Sequence, residues 1–153
     1  ELAVVLGRDA RDVPAGQTRD YIFGYTILND VSARDVQTAH KQWYFGKSLD
    51  GFTPIGPCIV TADAFADYPP RLGIRSFVNG EKRQDSNTAL QIFDIDHVIA
   101  ELSQGMTLKA GTIIATGTPA GVGMGMDPPQ FLNPGDVVRC EIDGIGALTN
   151  PVE

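Results

Sequence analysis

Glycine and proline interrupt this chain so often that long regular elements are disfavoured. The sequence contains 17 glycines and 10 prolines among 153 residues. Both residue types favour tight turns, and an excess of them is typical of chains whose apolar segments are short. The composition therefore favours many short strands joined by turns over a helical bundle.

Length and charge narrow the possible classes of function. A chain of 153 residues with 42% apolar content is long enough to bury the core of one domain. The net charge of −7 repels the phosphate backbone, so we expect no nucleic-acid partner. It does not exclude an anionic substrate, because a metal ion or a local Lys/Arg pair can invert the field at one site.

The sequence shows neither a membrane span nor a pattern of many cysteines. No apolar run approaches the roughly 18 residues that a membrane span requires, and no signal peptide is visible. These features predict a cytoplasmic location, with a mitochondrial one as the alternative. Cys58 and Cys140 are predicted to be free thiols in the core, with a disulfide as the alternative.

Apolar runs and turn residues predict a β-rich α+β fold with two short helices. An Asn79-Gly80 pair between two strand-like runs predicts a hairpin with a type I′ turn. The predicted strands cover residues 2–6, 21–28, 59–61, 72–78, 81–84, 112–116 and 137–142. The strand at 59–61 is expected to be buried.

Two stretches have the spacing of a helix. Val36, Ala39, His40 and Trp43 recur at helical intervals, which predicts a short helix that Gly46 ends, and Ser32 with Asp35 resembles a capping box at the start.

The second helical stretch begins at Asp94 or Asp96. Its apolar face comprises Ile95, Val98, Ile99 and Leu102, and Gly105 ends it. His97 is expected near its start, and neither histidine of the chain has metal-ligand spacing.

Polar side chains are concentrated between Leu28 and Pro57, directly after the strongest strand prediction. Asp30 is either a turn or cap residue or a carboxylate ligand for a hard cation such as Mg²⁺. Glu1, which precedes another strand, is either a solvated end residue or a second ligand. Spacing alone does not bring the two acids together, but adjacent strands would.

The basic residues of this segment have equally open alternatives. Lys47 is either an exposed loop lysine or a point charge that stabilises an enolate. Arg34 and Gln37 share a helix face. Arg34 either binds a substrate carboxylate through two parallel hydrogen bonds or pairs with Asp30 or Asp35.

The glycine-rich run at residues 115–125 follows a strand but does not match a nucleotide-binding loop. Pro119 interrupts it, and no Gly-Lys-Ser/Thr ending appears. Its N–H groups and the Thr118 hydroxyl can hold a carboxylate or carbonyl oxygen, or the run is a wide turn. No Gly-x-Ser-x-Gly elbow or Cys/His pairing is present, which leaves metal-assisted chemistry as the best-supported class.

Taken together, these motifs resemble the C-terminal catalytic domain of the fumarylacetoacetate hydrolase family. The matching segments occur in family order and cover nearly the whole chain, at residues 1–7, 25–35, 46–50, 54–57, 115–123 and 134–138. The resemblance implies a mixed β-roll of layered sheets with short helices, usually dimeric. Residues 1–153 are thus expected to form a single catalytic domain, and the run that starts directly at Glu1 suggests a piece of a longer protein.

The resemblance also implies roles for individual residues. Glu1 and Asp30 match two of the three acidic metal ligands, while the remaining glutamate would lie two positions before Glu1. Lys47 matches the catalytic lysine. Arg34, Gln37, Gly117 and Thr118 match substrate-binding positions.

The activity implied is hydrolysis of a C–C bond in a small β-diketo or 2-oxo acid, with Mg²⁺, Mn²⁺ or Ca²⁺ as cofactor. Isomerase, decarboxylase and oxaloacetate tautomerase activities of the same family are the alternatives. A homodimer is expected. A metal-binding or dimerisation module without turnover is the alternative from another class.

Overall fold

The strands form two four-stranded sheets in which every neighbouring pair is antiparallel. A computed structural model describes residues 1–39 and 41–153 fully and the backbone alone of residue 40. The strands are β1 (Leu2–Leu6), β2 (Ile22–Leu28), β3 (Ile55–Thr61), β4 (Gly73–Val78), β5 (Glu81–Asn87), β6 (Ile113–Ala115), β7 (Val137–Ile142) and β8 (Gly146–Pro151). The first sheet has the order β3-β2-β1-β6 and the second β5-β4-β7-β8. The predicted β-rich fold with layered sheets is confirmed.

The helices are short, as predicted. They are α1 (Arg34–His40) and α2 (Ile95–Ser103). Short 3₁₀ turns lie at Thr18–Tyr21, Phe45–Lys47, Ala62–Ala64, Thr88–Leu90 and Gly123–Gly125. No described helix has both the length and the apolar character needed to cross a membrane.

The core lies between the two sheets. Strands of the first sheet contribute Leu2, Val4 and Ile27, and strands of the second contribute Ile74 and Ile142. Because side chains alternate along a strand, these residues mark one face of each sheet as the inner face. Buried apolar area of this kind is the main driving force that holds the layers together.

Two local predictions are confirmed in detail. Asn79 and Gly80 have φ values of 52° and 82°, as a type I′ turn requires, and they join β4 to β5. The carboxylate of Asp94 accepts a 2.8 Å hydrogen bond from the backbone N–H of His97, so Asp94 is the N-cap of α2. His97 therefore lies near the helix start, where its ring stacks on Phe93.

The predicted boundaries and cap of α1 are wrong. Ala33 occupies the N-cap position without a side-chain hydrogen bond, and Ser32 Oγ donates to the carbonyl of Asp30 instead, at 3.2 Å. The helix ends before Trp43, because Lys41 adopts the left-handed conformation with φ 55°. The predicted capping box is therefore absent.

The residues whose spacing predicted α1 do not form its buried face. Ala39 and Trp43 are exposed, whereas Gln37 is buried. The part of that prediction that concerns the His40 side chain lies outside the described residues. Apolar spacing fails here because a polar side chain, held by tertiary contacts, occupies the buried position.

Strand β3 and one cysteine differ from expectation. The strand is largely exposed, with Ile59 at 46%, since it lies at an edge of the first sheet. Both cysteines are free, as expected. Cys140 is buried, but Cys58 is exposed and is not a core residue.

Candidate active site

Strand pairing brings Glu1 and Asp30 to the side of the first sheet at which β1 begins and β2 ends, and this side is called the sheet edge below. The backbone of Glu1 exchanges two hydrogen bonds with that of Leu28, at 2.6 and 3.0 Å. Because β1 and β2 are antiparallel, the beginning of β1 meets the end of β2. Asp30, which follows the end of β2, thus lies beside Glu1 in the fold although the two are distant in sequence.

The loop after β6 reaches the same edge and holds the Glu1 carboxylate. The backbone N–H of Gly117 donates a 2.8 Å hydrogen bond to Glu1 Oε2. Gly117 has φ +103°, a region that residues with a Cβ rarely adopt. The residue before Gly117 is also held against β1, because Thr116 Oγ1 donates to the carbonyl of Leu2 at 2.8 Å.

Lys47 pairs with Asp30. Its ammonium nitrogen donates to Asp30 Oδ2, and the two side chains are only 27% and 24% exposed. The alternative of an exposed loop lysine is therefore wrong, because the Lys47 side chain is partly buried. A partly buried ion pair is less screened by water than a surface pair.

Close packing of the Lys47 turn against α1 sets the position of this lysine. The N–H of Ala33 donates to the carbonyl of Gly46 at 2.8 Å. A Cβ on Gly46 would lie 3.0 Å from the carbonyl oxygen of Ala33 and from the backbone nitrogen of Gln37. Gly46 therefore serves as a contact point between the turn and the helix, and not as the residue that ends the helix.

Arg34 and Gln37 lie on one face of α1, as predicted. Arg34 Nη1 donates to Gln37 Oε1 at 2.9 Å. Among the described residues, Arg34 makes no ion pair with Asp30 or Asp35, so that alternative is wrong. The guanidinium keeps most of its five donors for another acceptor.

Two glutamines that the sequence analysis did not select support the loop after β6. Gln84, on β5, donates from Nε2 to Thr118 Oγ1 at 2.9 Å and to the Pro119 carbonyl at 2.8 Å. Gln91 donates to Thr116 Oγ1 at 2.7 Å. Neither glutamine lies in a recognisable local motif. Both contacts join segments that are far apart in sequence, so no local pattern could have indicated them.

A cavity of about 470 Å³ lies beside this loop but is not the centre of the charged site. Its walls include Leu2, Gln91, Phe93, Thr116 and Thr118, whereas Glu1, Asp30 and Lys47 do not line it. Leu2 belongs to the core between the sheets, and Gly117 also lines the cavity, so the cavity extends from the inner face to the loop that holds Glu1. The charged groups that can perform chemistry lie at the sheet edge, and we place the candidate site there.

The two acids fit part of a site for a hard divalent cation. Each has one carboxylate oxygen, Glu1 Oε1 and Asp30 Oδ1, without a hydrogen-bond partner among the described residues. Within that same part of the chain, no group of three or more His, Cys, Asp or Glu side chains is gathered as a metal site. Glu1 and Asp30 would thus supply two of the roughly six oxygen ligands that Mg²⁺ takes.

Comparison with known proteins identifies the chain's relatives. The family model described as "Fumarylacetoacetate (FAA) hydrolase C-terminal" matches residues 1–153. The chain belongs to the fumarylacetoacetate hydrolase family. The resemblance stated from the sequence motifs is therefore confirmed.

Relatives within the family carry several names. The chain is 49% identical over 152 residues to oxaloacetate tautomerase YisK of Bacillus subtilis, covering 99% of this chain and 50% of that protein. It therefore spans about half the length of this curated relative.

Solved structures of the family agree closely in fold. A fumarylacetoacetate hydrolase from Exiguobacterium antarcticum superposes with a TM-score of 0.96 at 51% identity, over 100% of this chain and 55% of that one. A 5-carboxymethyl-2-hydroxymuconate delta-isomerase from Mycobacterium smegmatis gives a TM-score of 0.88 at 47% identity, over 99% of this chain and 56% of that one. The fold is thus common to relatives named as hydrolase and as isomerase.

Proposed function

We propose that this protein is a divalent-metal-dependent enzyme that enolises a small 2-oxo or β-diketo acid, as a tautomerase or isomerase. The observation that carries the proposal is the Lys47–Asp30 pair at the sheet edge that Glu1 shares. This arrangement sets a positive donor beside two carboxylates, which suits a reaction whose intermediate is an enolate. The names of the tautomerase and isomerase relatives support the same class.

Lys47 supplies the charge that an enolate needs. Its ammonium has three hydrogens, and one is donated to Asp30. The remaining hydrogens can be donated to the oxygen on which negative charge develops when a water molecule, acting as base, takes the proton from the neighbouring carbon. A preorganised donor of this type contributes about 10²–10³ in rate.

Arg34 and Gln37 would hold the substrate carboxylate. The Arg34–Gln37 hydrogen bond at 2.9 Å orients the guanidinium, whose planar fork matches a carboxylate. Glu1 and Asp30 would hold the cation. When bound, such a cation polarises the keto oxygen and stabilises negative charge on it.

Hydrolysis of a C–C bond is the second candidate. The sequence resemblance implies it, and the similarity to the Exiguobacterium antarcticum protein named as a hydrolase favours it. Hydrolysis needs a group that activates water. Enolisation also needs a proton acceptor, and the relatives named as tautomerase and isomerase make it the better-supported activity.

The experiment is a turnover assay with two substrates. Enol-to-keto conversion of oxaloacetate is followed by absorbance with Mg²⁺ present, and cleavage of an acylpyruvate is measured in parallel. We expect the first reaction to be accelerated, and Lys47→Met to lose it by about 10²–10³-fold. Lys109→Met is the matched control, because Lys109 pairs with Asp9 on an exposed surface.

Each result separates the candidates. Acylpyruvate cleavage without oxaloacetate conversion favours the hydrolase. An unchanged rate in Lys47→Met contradicts the proposed role of the lysine. If neither substrate is converted while Mg²⁺ still binds, the alternative of a non-catalytic metal-binding module is favoured.

We further propose that the protein acts as a homodimer. Support comes from exposed apolar side chains on strands of the first sheet, including Phe23, Ile55, Ile59 and Ile113. Exposed apolar surface of this kind is common where protein chains associate. Sedimentation analysis tests the proposal, and a monomer at micromolar concentration contradicts it.

A further inference from the structure

The side-chain amide of Gln84 has only one possible orientation. Its Nε2 lies 2.8 Å from the carbonyl oxygen of Pro119, and a carbonyl oxygen can only accept a hydrogen bond. The nitrogen, and not the amide oxygen, must therefore face Pro119. The amide oxygen accepts a 2.7 Å hydrogen bond from Ser76 Oγ, which agrees with this orientation.

That orientation fixes the direction of the hydrogen bond to Thr118. The second hydrogen of Gln84 Nε2 is donated to Thr118 Oγ1 at 2.9 Å. Because Oγ1 accepts there, the hydroxyl hydrogen of Thr118 must point elsewhere. Among the described residues that hydrogen has no acceptor, and the side chain is exposed, so the hydrogen is open to solvent or to a ligand.

The neighbouring residue connects Thr118 to the charged site. Gly117 donates its N–H to Glu1 Oε2 at 2.8 Å, so Thr118 directly follows the residue that holds a candidate metal ligand. A hydroxyl whose oxygen already accepts from Gln84, and whose hydrogen has no acceptor among the described residues, is suited to donate to an anionic oxygen placed at this edge. A hydrogen bond to a charged acceptor is stronger than one between neutral groups.

We propose that Gln84 is a positioning residue that turns the Thr118 hydroxyl hydrogen toward a carboxylate or enolate oxygen of the bound oxo acid. This inference rests on the proposed function, because it requires an anionic oxo-acid ligand at the sheet edge. Gln84 itself lies on β5 of the second sheet and is not assigned a contact with the ligand. Its effect is transmitted only through the hydroxyl.

The test reverses the hydrogen bond without changing side-chain size. In Gln84→Glu the new carboxylate can only accept, so Thr118 donates to it and the hydroxyl hydrogen is withdrawn from the ligand. Oxalate is the probe, and its dissociation constant is measured by calorimetry in the protein saturated with Mg²⁺. We expect about tenfold weaker binding attributable to the redirected hydroxyl.

A double-mutant cycle separates this effect from charge repulsion and from displacement of the loop. The same Gln84→Glu change is made in a Thr118→Val background, which has no hydroxyl to redirect. We expect the loss of oxalate affinity to be about tenfold larger with Thr118 than with valine at that position. Thr118→Ser, which keeps the hydroxyl, should bind oxalate nearly as the parent does.

The outcomes are distinguishable. Equal losses in the two backgrounds overturn the role of Gln84 and leave the proposed function intact. Absence of oxalate binding by the parent protein contradicts the oxo-acid site, and the inference with it. If Gln84→Glu does not fold, Gln84→Met replaces it in the same cycle. That neutral change removes the donor to Thr118 Oγ1, so the hydroxyl is no longer oriented, and a loss of oxalate affinity confined to the Thr118 background is expected.

Discussion

The backbone nitrogen of Gly117 donates a 2.8 Å hydrogen bond to the carboxylate of Glu1, a residue 116 positions earlier in the sequence. This bond joins the loop after β6 to the beginning of β1, two segments that strand pairing places side by side. It leaves the second oxygen of Glu1 available at the sheet edge. The orientation of that carboxylate therefore depends on the conformation of one glycine.

Substitution of Gly117 should weaken metal binding more than its effect on stability accounts for. Gly117→Ala places a Cβ on a residue with φ +103°, which costs about 1–3 kcal/mol in the free energy of unfolding. A shift of the loop also removes the donor that orients Glu1, and we expect about tenfold weaker Mg²⁺ binding. Calorimetric titration and denaturant unfolding measure the two effects.

Gly111→Ala is the matched control for this prediction. Gly111 also has positive φ, at +85°, with no atom within 4 Å of the added Cβ. It precedes β6 and lies at the opposite end of that strand from Gly117. Equal losses of Mg²⁺ affinity in the two variants would mean that the Gly117–Glu1 bond does not orient a metal ligand.

The two members of the Lys47–Asp30 pair should have different effects on metal binding. Asp30→Asn removes a charged oxygen ligand and should lose most Mg²⁺ affinity, because hard cations favour carboxylates. Lys47→Met should leave that affinity nearly unchanged while turnover falls by about 10²–10³-fold. Both are measured by calorimetry and by the oxaloacetate assay.

An acid on the neighbouring helix serves as the comparison. Asp35→Asn changes an exposed carboxylate in the first turn of α1 and should retain both Mg²⁺ binding and activity. An unaltered titration curve for Asp30→Asn removes Asp30 from the proposed ligands.

A methyl group at Gly46 should disturb the lysine through packing. In Gly46→Ala the added Cβ would approach the Ala33 carbonyl and the Gln37 nitrogen to 3.0 Å. Overpacking of this kind costs about 1–3 kcal/mol, and we expect the turn that carries Lys47 to move. Thermal unfolding should show the loss of stability, and kcat should fall with it.

Gly125→Ala tests whether any added methyl group has this effect. The nearest atom to its Cβ would be Val122 Cγ2 at 3.7 Å, an ordinary contact distance. We expect it to retain both stability and activity. A Gly46→Ala protein that behaves like Gly125→Ala would show that the close approach to α1 is not needed.

Acid should destabilise the fold through carboxylates that are hydrogen-bonded in the folded state. The Arg75 guanidinium, which donates to Asp143, lowers the pKa of that carboxyl below its ordinary 3.8. When folding lowers the pKa of a carboxyl group, that group stabilises the fold at pH values above its unfolded-state pKa. The stabilisation is lost as the pH falls through the folded-state pKa. The midpoint temperature of thermal unfolding should therefore decrease when the pH is lowered below about 4.

A single substitution should flatten that acid dependence. Asp143→Asn removes the titrating group, so its thermal midpoint should change less than the parent's between about pH 5 and about pH 2. Asp63→Asn is the control, because the exposed Asp63 makes no hydrogen bond or ion pair with a described residue. Parallel curves for the parent and Asp143→Asn would contradict this assignment.

Local sequence patterns determined the elements whose formation depends on near neighbours. The apolar run at residues 2–6 and the Asn79-Gly80 turn are formed as predicted. Asp94 caps α2 because its carboxylate reaches an N–H only three residues away. The family motifs also singled out Lys47 and Asp30, although they did not show that the two side chains touch.

Tertiary structure decided what lies between distant segments. The buried residue of α1 did not follow from apolar spacing, because Gln37, held by Arg34 and packed against Gly46, is the one that is buried among the described side chains of that helix. Gln84 was overlooked because Thr118 and Pro119, its partners in the loop after β6, are 34 and 35 residues away. Hydrogen bonds of this kind depend on how the sheets meet, so periodicity and local motifs carry no signal for them.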